Sequence, residues 1–287
     1  MLSIALTAQD RLARLEAGAE AASEPVRTGL RARLALREAA GWLAHHGAWV
    51  HPVDLAFREA GLTGSYTAAT LGARLPSVLP VTAASGGELA SPDDRDVVTA
   101  LRHARHWRQL AELRRWAPGD LPPLPEPDGT PALLAAARIL AGGGGTRLSA
   151  PEALRAAWLW RERGGTGDPG LPIWSGPVRQ LHRAALAADP VPALLEAIAE
   201  AAQAARRELA RLRAAEERLR AIGGTARSRL PAAGEAALRL PVLTARALAA
   251  ALGVTPRAAA SLIARMAAAG VLREATGRRA WRGFVII

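Results

Sequence analysis

The sequence predicts a mainly α-helical protein: a helical N-terminal domain, one long helix, and a C-terminal winged helix-turn-helix with a small β-hairpin. Three observations carry that expectation. Half of the 287 residues are hydrophobic, yet only 4% are aromatic and alanine dominates, which suits helices packed through small side chains. Apolar residues recur at three- and four-residue spacing along much of the chain, the helical period. Residues 244–287 read as two short capped helices around a glycine, followed by two extended runs.

Taken in order, a first helix is expected from Thr7 to about Ala22, and a second from Pro25 to about His45 with Leu30, Leu34, Ala40 and Trp42 turned inward. His46 to Pro52 reads as a turn or short hairpin, and Val53 to Ala60 as a helix with Asp54 near its positive end. Leu62 to Ser91 has no regular pattern. Pro92 to Trp116 reads as a helix on Val97, Val98, Leu101, Trp107 and Leu110, with Asp93, Asp94 and Asp96 as partners of its N-terminal dipole. Prolines at 118, 122, 123, 125 and 127 mark 117–131 as a linker.

A helix is expected from Pro131 to Ala141, then the glycines Gly142 to Gly145. A phosphate cradle would continue with Gly-Lys-Ser or Gly-Lys-Thr, and neither follows, so this is read as a plain loop. Ser149 with Glu152 three residues on resembles a capping box, opening a helix to about Arg163 on Leu154, Trp158 and Leu159. Gly164 to Pro177 is rich in Gly and Pro, and Val178 to Ala188 is again helical. The long helix runs from Val191 to Ile222, with Leu195, Ile198, Ala202, Ala205, Leu209, Leu212 and Leu219 in alternating three and four spacing. Such a seam serves either a homodimer through 191–222 or packing against the chain's own first half. Gly223 to Pro241 reads as a flexible basic hinge offering Arg227 and Arg229.

In the last stretch, Thr244 can cap a helix carrying Leu248 and Leu252 on one face, and Gly253 ends it. Thr255 caps a second helix with Pro256 in its first turn, where a missing N–H costs nothing. Leu262, Ile263 and Met266 face inward and Gly270 stops the helix. Arg257, Ala258, Ser261 and Arg265 lie on the opposite face. Val271 and Leu272 begin an extended run, Thr276-Gly277 turns, and Ala280 to Ile287 returns, placing Arg278, Arg279 and Arg282 on the hairpin. The chain therefore divides into a helical domain (1–116), a linker (117–131), a helical region (132–222), a basic hinge (223–243) and the winged helix-turn-helix (244–287).

Charge points to a polyanion. Residues 205–287 hold 16 Arg and 5 Glu, while residues 1–204 hold 21 Arg against 21 Asp plus Glu, so the whole net charge of +11 lies in the C-terminal part. There is no Lys, and the overall Arg content fits a GC-rich coding bias, but such a bias does not explain the asymmetry. A basic patch confined to one module is the footprint of a nucleic-acid binder. The absence of Cys excludes disulfides and thiolate zinc fingers. No stretch approaches the ~20 apolar residues of a membrane span, and no signal peptide is recognisable, so a cytoplasmic, nucleoid-associated protein is expected. His45, His46 and His51 cluster, and His103 and His106 sit one turn apart, without a carboxylate pattern that completes a metal site. No catalytic residue, metal or cofactor is expected.

The block Leu30 to Leu55, with Trp42-Leu43 and Val50-His51-Pro52-Val53-Asp54-Leu55, resembles an uncharacterised family of helix-turn-helix proteins found in alphaproteobacteria, often on rhizobial plasmids. The closing run from Leu272-Arg273-Glu274-Ala275-Thr276-Gly277-Arg278 to Trp281-Arg282-Gly283-Phe284 carries the same resemblance more specifically. It covers most of the chain and implies DNA binding and regulation. More remotely, the layout resembles Fic-type AMP-transferases, whose loop needs a His base, an acidic metal ligand and a Gly-Asn-Gly-Arg cradle. The comparable stretch here, Arg163 to Arg179, has Asp168 and glycines but neither His nor Asn-Gly-Arg, so this resemblance implies at most a degenerate relative.

The expected function is a sequence-specific binder of double-stranded DNA that regulates transcription. Thr255, Arg257, Ala258, Ser261 and Arg265 would meet base edges or adjacent phosphates, and Arg278, Arg279 and Arg282 the backbone. The sequence specifies no small-molecule effector. The alternatives are a Fic-like nucleotide-binding protein and a toxin–antitoxin-type interaction protein without catalysis.

Overall fold

The computed structural model describes residues 1–46, 48, 50–62, 94–112, 122–126, 128–142, 149–164, 169–223, 228–275 and 282–287. Residues 63–91 of the expected irregular run, residues 117–121 and 127 of the linker, the glycines after Gly142, and Arg227, Arg278 and Arg279 lie outside these residues. The elements are α1 (Leu2–Glu20), α2 (Glu24–His45), α3 (Pro52–Glu59), α4 (Asp94–Glu112), α5 (Ala132–Ala141), α6 (Ala150–Arg163), α7 (Val178–Leu186), α8 (Val191–Ile222), α9 (Leu230–Arg239), β1 (Leu243–Thr244), α10 (Ala245–Leu252), α11 (Pro256–Ala268), β2 (Leu272–Glu274) and β3 (Gly283–Ile286). The protein is mainly helical, with one small antiparallel sheet at its C-terminal end. No single helix among the described residues is long and apolar enough to cross a membrane.

The long helix α8 is the axis of the core. Its seam residues Leu195, Ile198, Ala202, Ala205, Leu209 and Leu212 are all buried within the chain, against α1, α2, α5, α7 and α9. Alanine at 202 and 205 lets neighbours approach closely, and α1 supplies Ala8, Leu12, Leu15 and Ala19 to the same core. The seam that could have served a homodimer through 191–222 is thus filled by the chain's own helices. An apolar stripe has the same spacing whichever partner covers it, so sequence leaves the choice open.

A second difference concerns the expected hinge at 223–243. Residues Leu230 to Arg239 form α9, with Leu230, Ala233, Ala236, Ala237 and Leu238 buried. Pro231 sits in the first turn, where its missing N–H is harmless. Gly234 faces Leu219 of α8, and a Cβ there would come within 3.1 Å of that side chain. Short apolar side chains interrupted by Pro and Gly conceal the helix, and burial against α2 and α8 stabilises it.

At the opposite end of α2, the Glu38 carboxylate is buried and accepts backbone N–H groups from Ile173 at 3.1 Å and from Trp174 and Ser175 at 2.9 Å. Burial raises its carboxyl above the ordinary range, while these hydrogen bonds act against that rise. Gly41 is required beside it, because a Cβ would overlap the Trp174 carbonyl. The Gly/Pro-rich stretch before α7 is therefore pinned to α2 at residues 173–175, with Leu171, Ile173 and Trp174 buried.

Beside this contact, burial holds His51 and His103 down at about 4, well below the 6.5 of a free imidazole; Arg37 adds to the effect on His51, and His106 and His46 add to that on His103. The unfolded chain takes up protons on these rings that the native state refuses. Their stabilisation is complete above pH 6.5 and is lost as pH falls toward 4. Asp54, raised by burial from 3.8 to about 7, works oppositely: its contribution is complete below pH 3.8 and is lost as pH rises through 7. His103→Leu should therefore shrink the fall in urea midpoint between pH 6.5 and 4. An unchanged fall would show that His103 does not couple to folding.

Candidate nucleic-acid interface

The C-terminal module is built from local signals. The Thr244 hydroxyl accepts the Ala247 N–H at 3.0 Å and starts α10. Gly253, at φ 62° and ψ 38°, ends that helix in the left-handed region that glycine enters cheaply. Two residues later the Thr255 hydroxyl accepts the Ala258 N–H at 3.2 Å and starts α11. The chain turns through 111° between the two helices, within the range typical of a helix-turn-helix pair. β3 then lies between β1 and β2, with Leu243 opposite Phe284 and Leu272 opposite Ile286.

Ala259, Ile263 and Met266 bury one face of α11. The other face exposes Arg257, Ala258, Ser261 and Arg265, as their spacing predicts. Neither Arg257 nor Arg265 has a carboxylate partner among the described residues, so both guanidiniums are available to an external anion. Thr255 is exposed, but its hydroxyl is occupied in capping, which makes it a positioning residue. Ala258 presents a methyl group and leaves room for close approach. Arg282 stands at the foot of the hairpin, exposed and 3.7 Å from Glu274, a pairing weak enough to exchange for phosphate.

Two cations escaped notice in the sequence. Arg246, in the first turn of α10 and two residues after the Thr244 cap, is exposed and unpaired among the described residues. Its place just inside an N-cap was the available signal. Arg218, on α8, donates to the Gly270 carbonyl at 3.0 Å and so touches the turn that ends α11. No local pattern reveals that contact.

The module is clamped to the helical body. Arg33 of α2 is buried and donates to the carbonyls of Leu238 at 2.7 Å, Leu240 at 2.8 Å, Ala237 at 3.4 Å and Gly29 at 3.0 Å. Three of these acceptors lie at or just beyond the end of α9, where carbonyls lack helical partners and a cation is favoured. Burial lowers the Arg33 guanidinium to about 10, which leaves it charged near neutrality. Its counter-ion is Glu208 of α8, at 3.6 Å, which also pairs with Arg37 at 2.8 Å and with Arg211. Burial works against the Glu208 charge, but Arg37, Arg211 and Arg33 outweigh it and hold the carboxyl below its usual range. Gly29 abuts the Leu238 carbonyl, Gly283 abuts the Phe57 ring, and Arg239 pairs with Glu24 at 2.7 Å.

Residues 230–287 match the family model of a helix-turn-helix (HTH) DNA binding domain. The match starts at the first residue of α9, so the helix found in place of the expected hinge is also the first element of the matched module. No curated protein matches the chain. Fold and match together support a DNA-binding protein with a C-terminal helix-turn-helix domain.

Proposed function

We propose that this protein is a sequence-specific transcriptional regulator that reads double-stranded DNA with α11 and steadies it with the β2–β3 hairpin acting as a wing. The observation that carries this reading is the outward face of α11, where Arg257, Ser261 and Arg265 stand exposed with no carboxylate partner among the described residues. Arg257, nearest the helix N-terminus, would reach base edges, because recognition helices present that end to the major groove. Arg246 and Arg282, together with Arg278 and Arg279 between the hairpin strands, would meet phosphates.

Two substitutions separate these roles. Arg257→Ala should cost roughly 1–3 kcal/mol on a selected operator and far less on random duplex, the pattern of a lost bidentate base contact. Arg282→Ala should weaken both DNAs alike and flatten the salt slope by about one unit. Fluorescence anisotropy of the full-length protein across a salt series reads both effects. Equal losses on operator and random DNA for both variants would overturn the division between base reading and backbone contact.

A further inference from the structure

The basic surface does not end at the helix-turn-helix. On α8, Arg207, Arg211 and Arg218 are exposed. At about 100° per residue they fall within roughly 40° of one another, on the flank beside buried Glu208. The row spans roughly 16 Å along the axis, and at its far end Arg218 bonds to the Gly270 carbonyl, against the turn that closes α11. Arg37 of α2, whose side chain is 33% exposed, lies behind the row on Glu208.

The charges there do not balance. Arg33, Arg37 and Arg211 share the single Glu208 carboxylate. Arg207 has no partner among the described residues. The next charged side chain along the same flank toward the body is Glu200, held at 3.4 Å by Gln180, and it ends the row. Surplus guanidiniums in line, joined to a DNA-binding module by a direct contact, complement the charge of a phosphate backbone.

We propose that Arg207, Arg211 and Arg218, backed by Arg37, form a second phosphate-binding track continuous with the helix-turn-helix, which extends the grip on DNA beyond that module. The proposal rests on the DNA-binding reading above and adds about five base pairs to the footprint, at ~3.4 Å per pair. Clamping by Arg33 is what makes the extension possible, because it fixes the track relative to α11. A freely hinged module would not align the two.

The test compares full-length protein on random duplexes of about 10 and about 20 base pairs, lengths that fit the module alone and the module plus track. The wild-type salt slope should be steeper on the longer duplex. Arg207→Gln with Arg211→Gln should remove about two units of slope there, at ~0.9 per phosphate, and leave the shorter duplex unaffected. Arg207→Lys with Arg211→Lys, which keeps the charge, should restore the slope, a rescue that a purely structural role would not give. Equal wild-type slopes on both duplexes, or a double Gln variant indistinguishable from wild type, would overturn the track while leaving the helix-turn-helix reading intact. With equal slopes, a rise in wild-type melting temperature on adding pyrophosphate, absent in the Gln variant, would assign the cluster to a free phosphate instead. Failure of the wild type to bind either duplex would bring down both readings together.

Discussion

Glu208→Ala is expected to destabilise the protein by about 3–5 kcal/mol, the usual cost of stranding a buried charge by removing its partner. The side chain is only 2% exposed and answers Arg33, Arg37 and Arg211 at once. Arg37 and Arg211 can turn toward water, but Arg33 cannot, because its guanidinium is enclosed and bonded to carbonyls at and beyond the end of α9. A urea titration at neutral pH reads the loss directly. The double variant Arg33→Met with Glu208→Met gives a sharper result. Replacing a buried pair by apolar groups is often neutral, but here the α9 carbonyls would lose their donor, so only part of the stability should return. A Glu208→Ala cost below about 1 kcal/mol, the level of a surface ion pair, would show that the cluster is solvated.

Gly29→Ala should be, with Gly41→Ala, among the most damaging single-methyl additions at the described glycines. The added Cβ would overlap the Leu238 carbonyl, which is backbone and cannot rotate away, so α2 and α9 must separate. Overpacking of this kind costs about 1–3 kcal/mol, and more where nothing can yield. The same separation breaks the Arg33 contacts, so DNA affinity should fall together with thermal stability. Gly18→Ala is the control: its new methyl would meet the Leu209 side chain at 3.0 Å, and that flexible end can give way. If both variants melt together near wild type, the packing of α2 on α9 is looser than these contacts imply.

The two variants also mark what the sequence could and could not convey. Thr244, Gly253 and Thr255 specify their structures through hydroxyls and a left-handed glycine acting on residues two or three away, so the helix-turn-helix was legible from local chemistry. The bounds of α8 were equally plain from its apolar spacing. The partner of that spacing was not, because a stripe of leucine and alanine fits a second copy as well as α1. In sequence, nothing distinguishes Arg33 from the other arginines of α2. Its acceptor at Leu238 is 205 residues away, and no periodicity links them. The exposed face of α11 follows from the spacing of its apolar residues, whereas the contribution of α8 to the basic surface depends on the contact of Arg218 with Gly270.

The placement of α1 and α2 also bears on how the chain is made. Both are made before the elements they pack on, since α1 packs on α8 and Gly29 on Leu238, some 200 residues later. At ~5–20 residues per second, the ribosome needs on the order of 10–40 seconds to release those partners. During that interval Leu12, Leu15, Leu30 and Leu34 lack the surfaces that finally bury them. The nascent N-terminal half therefore exposes apolar surface during synthesis, and its core closes only after α8 and α9 have been made. A chain truncated before α8 would lack the partner of its own first helices.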